Sequence, residues 1–273
     1  MKRLFLLFPL TIPYWVWIAH QGGRVHLEPG SAWPFGYALL SLAFFVPLSW
    51  WMFDLERDDR LATLSRIGLG SVGGIILVHL FGTATSSPTL ISKVLGGPAG
   101  FAISAIGLAN AVKDVESLPI WVSILGYTLG VGLVEEASKA IAARSDRFDA
   151  LKARAAFGFV SGIGFGCSEA ILYSLRDYAG SADVTVYVLR FLFCVGFHGA
   201  MSGIAVLSLP EDWWDFDRWA ITALRLLPIA LLHGAYDAFL VRSCPVWAGI
   251  VATATFVTFP ILLWSMEEGL GEV

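Results

Sequence analysis

The chain has 273 residues, 56% of them hydrophobic and 15% charged, with a mean hydropathy of +0.70. A water-soluble domain carries about 25% charged residues, so this composition excludes a soluble enzyme and points to an integral membrane protein. The net charge of −4, from 18 basic and 22 acidic side chains, is too mild to favour nucleic acid as a partner. Cys167, Cys194 and Cys244 lie within or at the end of apolar runs, show neither CxxC spacing nor a disulfide framework, and read as packing residues.

A membrane-crossing helix needs about 20 apolar residues. The first candidate, Leu4 to Ala19, follows Met1-Lys2-Arg3 and resembles a signal peptide. Pro9 and Pro13 interrupt it, and no small-x-small cleavage site follows in His20-Gln21-Gly22-Gly23, so a retained first span is expected. The further candidates are Ala32 to Phe53, Ile67 to Ala84, Gly97 to Val112, Leu118 to Ala143, Ala155 to Leu175, Val184 to Leu209, Trp219 to Val241 and Val246 to Met266. The Gly97 to Val112 run is the shortest of these and is rich in Gly and Ala.

Loop charge arbitrates, because cytoplasmic loops are enriched in Lys and Arg. With nine crossings the bias is eight basic residues against seven. If Gly97 to Val112 does not cross, Lys2, Arg3, Arg57, Arg60, Arg66, Arg144, Arg147, Lys152, Arg154 and Arg218 fall on one side, ten against five. The expectation is therefore an all-α, polytopic transmembrane helix bundle of about eight spans, nine being possible, with both termini cytoplasmic. It forms a single integral membrane domain over 1–273, with a motif-bearing core over 118–241. Trp50, Trp51, Trp213, Trp214 and Trp219 then sit near span ends, and Asp146, Arg147, Asp149, Lys152 and Arg154 form a solvated loop.

Ionisable groups inside a span are costly and mark function by default. They concentrate in the second half: Glu135-Glu136-Ala137-Ser138-Lys139, Glu169, Arg190 with His198, and Arg225 with His233 and Asp237. His79 stands alone in an early run and reads as a packed histidine. Arg190 and Arg225 read as snorkelling or pairing with acids. Lys139 is spaced i, i+4 from Glu135 and i, i+3 from Glu136, so its ammonium can reach either carboxylate. His233 and Asp237 are also at i, i+4, a spacing at which a carboxylate can fix an imidazole tautomer. Gly158, Gly162 and Gly166, Gly126 and Gly130, and Gly199 and Gly203 form small-residue strips suited to close helix contact. At about 1.5 Å per residue, Glu135 lies roughly 12 Å from the Arg144 to Arg154 side, His198 roughly 16 Å, Glu169 and His233 roughly 21 Å, and Asp237 roughly 27 Å. These heights are compatible with one site.

The chain has no HExxH and no GxGD, and Gly199-Ala200-Met201-Ser202-Gly203 misses GxSG by one residue. Two chemistries stay open. A carboxylate deprotonates water while histidines stabilise the oxyanion, or Glu, His and Asp hold a zinc-like ion that activates the water. Proton-coupled transport and a non-catalytic scaffold or immunity role are the rivals, although no internal repeat supports an inverted-repeat transporter.

Glu135-Glu136-x-x-Lys139, Phe165-x-x-x-Glu169, His198 and His233-x-x-x-Asp237, in this order on successive membrane helices, resemble the signature of PrsW-type membrane proteases. These are similar in turn to the CAAX prenyl protease and bacteriocin-immunity superfamily. The resemblance covers about 118–241. It implies hydrolysis of a peptide bond in a membrane-anchored protein, such as an anti-sigma factor, in a prokaryotic cytoplasmic membrane. By the same resemblance Glu135 is the general base, positioned by Glu136 and Lys139. Glu169 and His198 share the water or a metal, and His233 with Asp237 binds the carbonyl oxygen. Glu169 stands where the CAAX branch has histidine, and Asp237 where that branch has asparagine. The added negative charge favours a cation, so a divalent metal such as zinc on Glu169, His198, His233 and Asp237 is a candidate cofactor.

Overall fold

A computed structural model describes residues 32–76, 97–144, 151–177, 184–210 and 218–271. The Leu4 to Ala19 run, His79, Asp146, Arg147, Asp149, Trp213 and Trp214 lie outside these residues. The described residues form helices α1 (Ala32–Phe53), α2 (Arg57–Gly68, continued by a π-helical turn at Leu69–Gly74), α3 (Gly97–Val112), α4 (Ile120–Ala143), α5 (Leu151–Asp177), α6 (184–208), α7 (Trp219–Val241) and α8 (Pro245–Gly271).

Six of these, α1 and α4 to α8, are long and apolar enough to cross a membrane. Their limits fall within a few residues of the expected spans, because polar residues and breakers bound each apolar run. Helix α3 has 16 residues, about 24 Å of helix, short of the roughly 30 Å hydrocarbon core. It lies against α4, where Gly126 fits Ala109 and Lys113, and Gly130 fits Asn110.

Arg57, Arg60 and Arg66 belong to helix α2, which begins ten residues before the apolar run at Ile67. Asp58 and Asp59 in its first turn complement the helix dipole, and the Trp50 indole donates to Thr63 Oγ1 at 2.8 Å, tying α2 to α1.

Helices α5 and α6 are the innermost, whereas α1, α7 and α8 keep large apolar side chains such as Leu39, Leu224 and Trp264 exposed for lipid. Glycines set the spacing. A methyl group at Gly162 would lie 2.2 Å from the His198 carbonyl oxygen, and one at Gly158 would lie 2.7 Å from that of Ser202. On another face of α5, Gly164 meets Ile67, and Gly70 of the π-helical turn meets Ser161. Gly132 and Gly234 bring α4 and α7 together, against Ala230 and Thr128. The small-residue strips of the sequence are thus helix contacts.

Among the described residues two further π-helical turns occur, at Thr128–Gly132 in α4 and Leu189–Cys194 in α6. Both immediately precede the site-bearing turns of their helices, and π-helical turns favour functional positions.

Arginines join the helix ends. Arg154, expected in a solvated loop, is 7% exposed in the first turn of α5. It donates to the carbonyls of Val206, Leu207 and Leu209, the last turn of α6, where helix carbonyls lack intrahelical partners. Arg225, near the start of α7, donates to Ser208 O at 3.0 Å. Arg242, just after α7, donates to the carbonyls of Val115, Glu116 and Leu118 and to Ser123 Oγ. The start of α5, the end of α6 and the start of α7 therefore share one side of the bundle, and the end of α7 meets the start of α4 on the other.

Candidate active site

The centre of the bundle contains all seven side chains singled out in the sequence. Glu135, Glu136 and Lys139 come from α4 just after its π-helical turn, Glu169 from α5, His198 from α6, and His233 and Asp237 from α7. Two of these, Glu136 and Lys139, have fully enclosed side chains. The Glu169 and Asp237 side chains are 20% and 23% exposed, so the cluster opens on their side.

Lys139 is the hub. Its ammonium donates to Glu136 Oε1 at 2.7 Å, lies 2.9 Å from His198 Nδ1 and 3.4 Å from Glu135 Oε2, and sits 4.5 Å from the centroid of the Phe165 ring. A buried ammonium is tolerated only when so compensated. Phe165, one turn before Glu169 on α5, thereby acquires the role of a cation–π seat that its place in the motif did not reveal.

Glu136 is an orienting group. Its Oε1 also accepts from His233 Nδ1 at 2.8 Å, and its Oε2 is 3.4 Å from Ser202 Oγ. Ser202, the serine of the near-miss GxSG, therefore bonds a carboxylate. Ser161 donates to the Lys139 carbonyl at 2.9 Å, holding α4 to α5; only its place near the α5 glycines hinted at this. The expected i, i+4 pairing of His233 with Asp237 is present in looser form, with Nε2 to Oδ2 at 3.5 Å. The short bond that orients the imidazole comes from Glu136 on another helix.

His198 Nε2 is 2.8 Å from Glu169 Oε2, bridging α6 and α5. The two imidazoles meet edge to face, with centroids 5.3 Å apart. Glu135 Oε2 has no hydrogen-bond partner despite its burial and lies 3.6 Å from His233 Nε2. Arg190 is stacked on the Tyr173 ring, its guanidinium carbon 4.5 Å from the centroid, as a packed cation would be.

One ligand atom each from Glu135, His198 and His233 falls within 4.8 Å of the others. Carboxylate and imidazole donors of this kind suit zinc, and the buried Glu135 oxygen without a hydrogen-bond partner is an acceptor that a cation would satisfy. The residues fit a divalent metal.

Buried acids, histidines and a lysine converge inside a membrane-helix bundle and open at one end, an arrangement chemically able to activate water. The family model for the PrsW family intramembrane metalloprotease matches residues 86–265. The chain belongs to that family and is a membrane protease. No curated protein and no solved structure matches it.

Proposed function

We propose that this protein hydrolyses a peptide bond of a single-span, membrane-anchored protein, of which an anti-sigma factor is the expected type, at the Glu135 cluster. The observation that carries this reading is the Glu135 Oε2 atom, buried without a hydrogen-bond partner and facing His233 Nε2. An ionised carboxylate in that position accepts the proton of an attacking water. Glu136 and Lys139 hold Glu135 and His233 in place, the His198–Glu169 pair borders the water on the open side, and His233 with Asp237 faces the carbonyl oxygen of the scissile bond. Glu135, His198 and His233 are the groups that would hold a divalent metal, with Glu169 and Asp237 beside them. Such an ion acidifies bound water and polarises the carbonyl.

The basic side, with Arg144, Lys152, Arg154 and Arg218, is cytoplasmic in this reading. Glu169 and Asp237, late on α5 and α7, then open the site toward the opposite face, from which the substrate strand enters.

Wild-type protein and Glu135→Gln, Glu169→Gln and His233→Ala variants, each co-expressed with a tagged single-span substrate, test the proposal. The expected result is unchanged insertion with loss of cleavage in all three. Full cleavage by all three refutes it, and pH-driven flux through wild-type proteoliposomes without proteolysis would favour a transporter.

A further inference from the structure

Beyond the cluster, toward its open side, the same helices carry a second tier of polar side chains. On α5, Tyr173 lies one turn past Glu169. On α6, Arg190 lies about two turns before His198, near the end of that helix opposite the Arg154 contacts. On α7, Tyr236 precedes Asp237, and its hydroxyl is 3.1 Å from Cys194 Sγ. On α4, Tyr127 lies about two turns before Glu135. Its hydroxyl donates to Asp114, and it interacts electrostatically with Asp237 and Tyr173.

Arg190 is the member of this tier suited to a ligand, since an arginine within a span is costly and marks function by default. Its guanidinium carbon lies over the Tyr173 ring, 4.5 Å from the centroid. That contact engages the face of the guanidinium and not the N–H donors at its rim, the fork with which arginine takes a carboxylate through two bonds. Arg190 interacts electrostatically with Asp237, Cys194 and Tyr236, so its charge is directed into the bundle rather than toward lipid. Glu169 and Asp237 face histidines on the inner side, at 2.8 Å and 3.5 Å. A cation one tier further out therefore borders the path by which a peptide reaches them.

The spacing fixes which part of a peptide it meets. Tyr173 stands about 6 Å beyond Glu169 along the helix axis. An extended strand rises about 3.3 Å per residue. A peptide whose reacting bond is level with Glu169 thus presents the residue about two positions further out to the guanidinium.

We propose that Arg190, seated on Tyr173, is a specificity-determining residue that receives an acidic side chain of the substrate, about two residues from the scissile bond on the open side. This names a substrate class for the site and rests on the reading of the cluster as proteolytic. The substrate carboxylate accepts two charge-assisted hydrogen bonds from the guanidinium. Asparagine in its place offers one acceptor atom instead of two, and no charge.

The test uses the full-length protein in nanodiscs and a tagged single-span reporter, a Leu/Ala helix followed on the open side by a Gly/Ser segment. Asp, Asn or Lys is placed in turn at successive positions beyond the bond that mass spectrometry shows to be cut. Wild type is expected to favour Asp over Asn at least about ten-fold in cleavage rate about two residues out. R190Q should abolish that preference and R190E should transfer it to Lys. R190K, which keeps the charge without the fork, should retain only part of it and keeps the test intact if either of the others fails to fold. R225Q, at the other end of the bundle, should keep the preference in full. Fluorescent peptides of the same sequences, bound to E135Q, give a readout without chemistry. There Asp should bind at least about ten-fold more tightly than Asn, and the E135Q, R190Q double variant should lose that advantage. An Asp preference that R190Q or R190K leaves intact overturns the inference, as does an equal loss of cleavage for every reporter in these variants, the mark of a packing role. Cleavage by wild type without acid preference removes this inference alone. Acid-selective binding without cleavage of any reporter removes the proteolytic reading and leaves Arg190 as a carboxylate site, and the absence of both removes both.

Discussion

The contact between α5 and α6 carries the prediction that the structure defines most sharply. A β-carbon added at Gly162 would stand 2.2 Å from the His198 carbonyl oxygen and 2.6 Å from Ser202 Oγ. Ordinary contact begins near 3.4 Å, so the Gly162→Ala variant forces the two backbones apart by about 1 Å. The obstacle is main chain, which no rotamer change moves aside. Overpacking of this kind costs about 1–3 kcal/mol. The same displacement acts on the 2.8 Å bond between His198 and Glu169, and a misplacement of about 1 Å in a reacting group costs on the order of 100-fold in rate. Gly73 and Gly249 provide the control, because nothing lies within 4 Å of a β-carbon added at either position. Replacing an unneeded helical glycine with alanine should be neutral or stabilise by roughly 0.5–1 kcal/mol. Thermal unfolding in detergent and initial cleavage rates in proteoliposomes, measured on all three variants, decide the matter. The expected pattern is lowered stability with cleavage reduced at least about 30-fold for Gly162→Ala and wild-type behaviour for the controls. Wild-type stability and cleavage in Gly162→Ala would refute the claim that this glycine sets the depth at which the two helices meet.

Lys139→Met strands the buried Glu136 and Glu135 carboxylates without their cation and should destabilise the fold by about 3–5 kcal/mol, read as a fall in unfolding temperature larger than that of Ser202→Ala. Arg154→Ala removes the donors to three carbonyls at the end of α6 and should cost about 2–4 kcal/mol of stability, while cleavage per folded molecule at low temperature stays near wild type. Asp114 lies between α3 and α4, outside the spans. Partial burial raises its pKa, but hydrogen bonds from Lys113 and Tyr127 outweigh this and leave it below the ordinary aspartate value. A depressed pKa contributes stability that is present above the unfolded value of about 3.9 and is lost as pH falls through the folded one. Unfolding temperature measured from pH 6 to pH 3 should therefore drop more steeply for wild type than for Asp114→Asn.

Much of the fold was legible because the lipid environment simplifies the code. An apolar run bounded by charge gives a span whatever its neighbours, and Ala32–Phe53 and Trp219–Val241 follow from that rule alone. The boundary of α2 was not legible in this way, because the polar stretch from Arg57 to Arg66 makes its helix with acidic residues in its first turn and a hydrogen bond from Trp50, independent of hydropathy. Arg154 was misplaced for a related reason. Charge density suggested a wet loop, and only the proximity of the α6 end shows which carbonyls that guanidinium satisfies.

Membership of the site could be read because a charge in lipid needs a partner, so seven such groups in neighbouring spans have to find one another. Their pairing could not be read, because it depends on the rotation of each helix about its axis. Spacing within α7 made Asp237 the natural partner of His233, yet the short bond goes to Glu136 of α4. The π-helical turn at Thr128–Gly132 supplies a reason. One extra residue in a turn rotates all that follows by about 100° relative to a regular 3.6-residue helix. Without it, the face presented to α5, α6 and α7 by residues 133–143 would be a different one. Leu189–Cys194 has the same relation to His198. Thr128-Leu129-Gly130-Val131-Gly132 offers glycines that suit such a turn, but nothing in the order of its letters distinguishes it from an ordinary helical stretch. Where the carboxylates point is therefore decided by a backbone irregularity that tertiary packing selects, with Gly132 against Ala230 and Gly234 against Thr128 holding it in place.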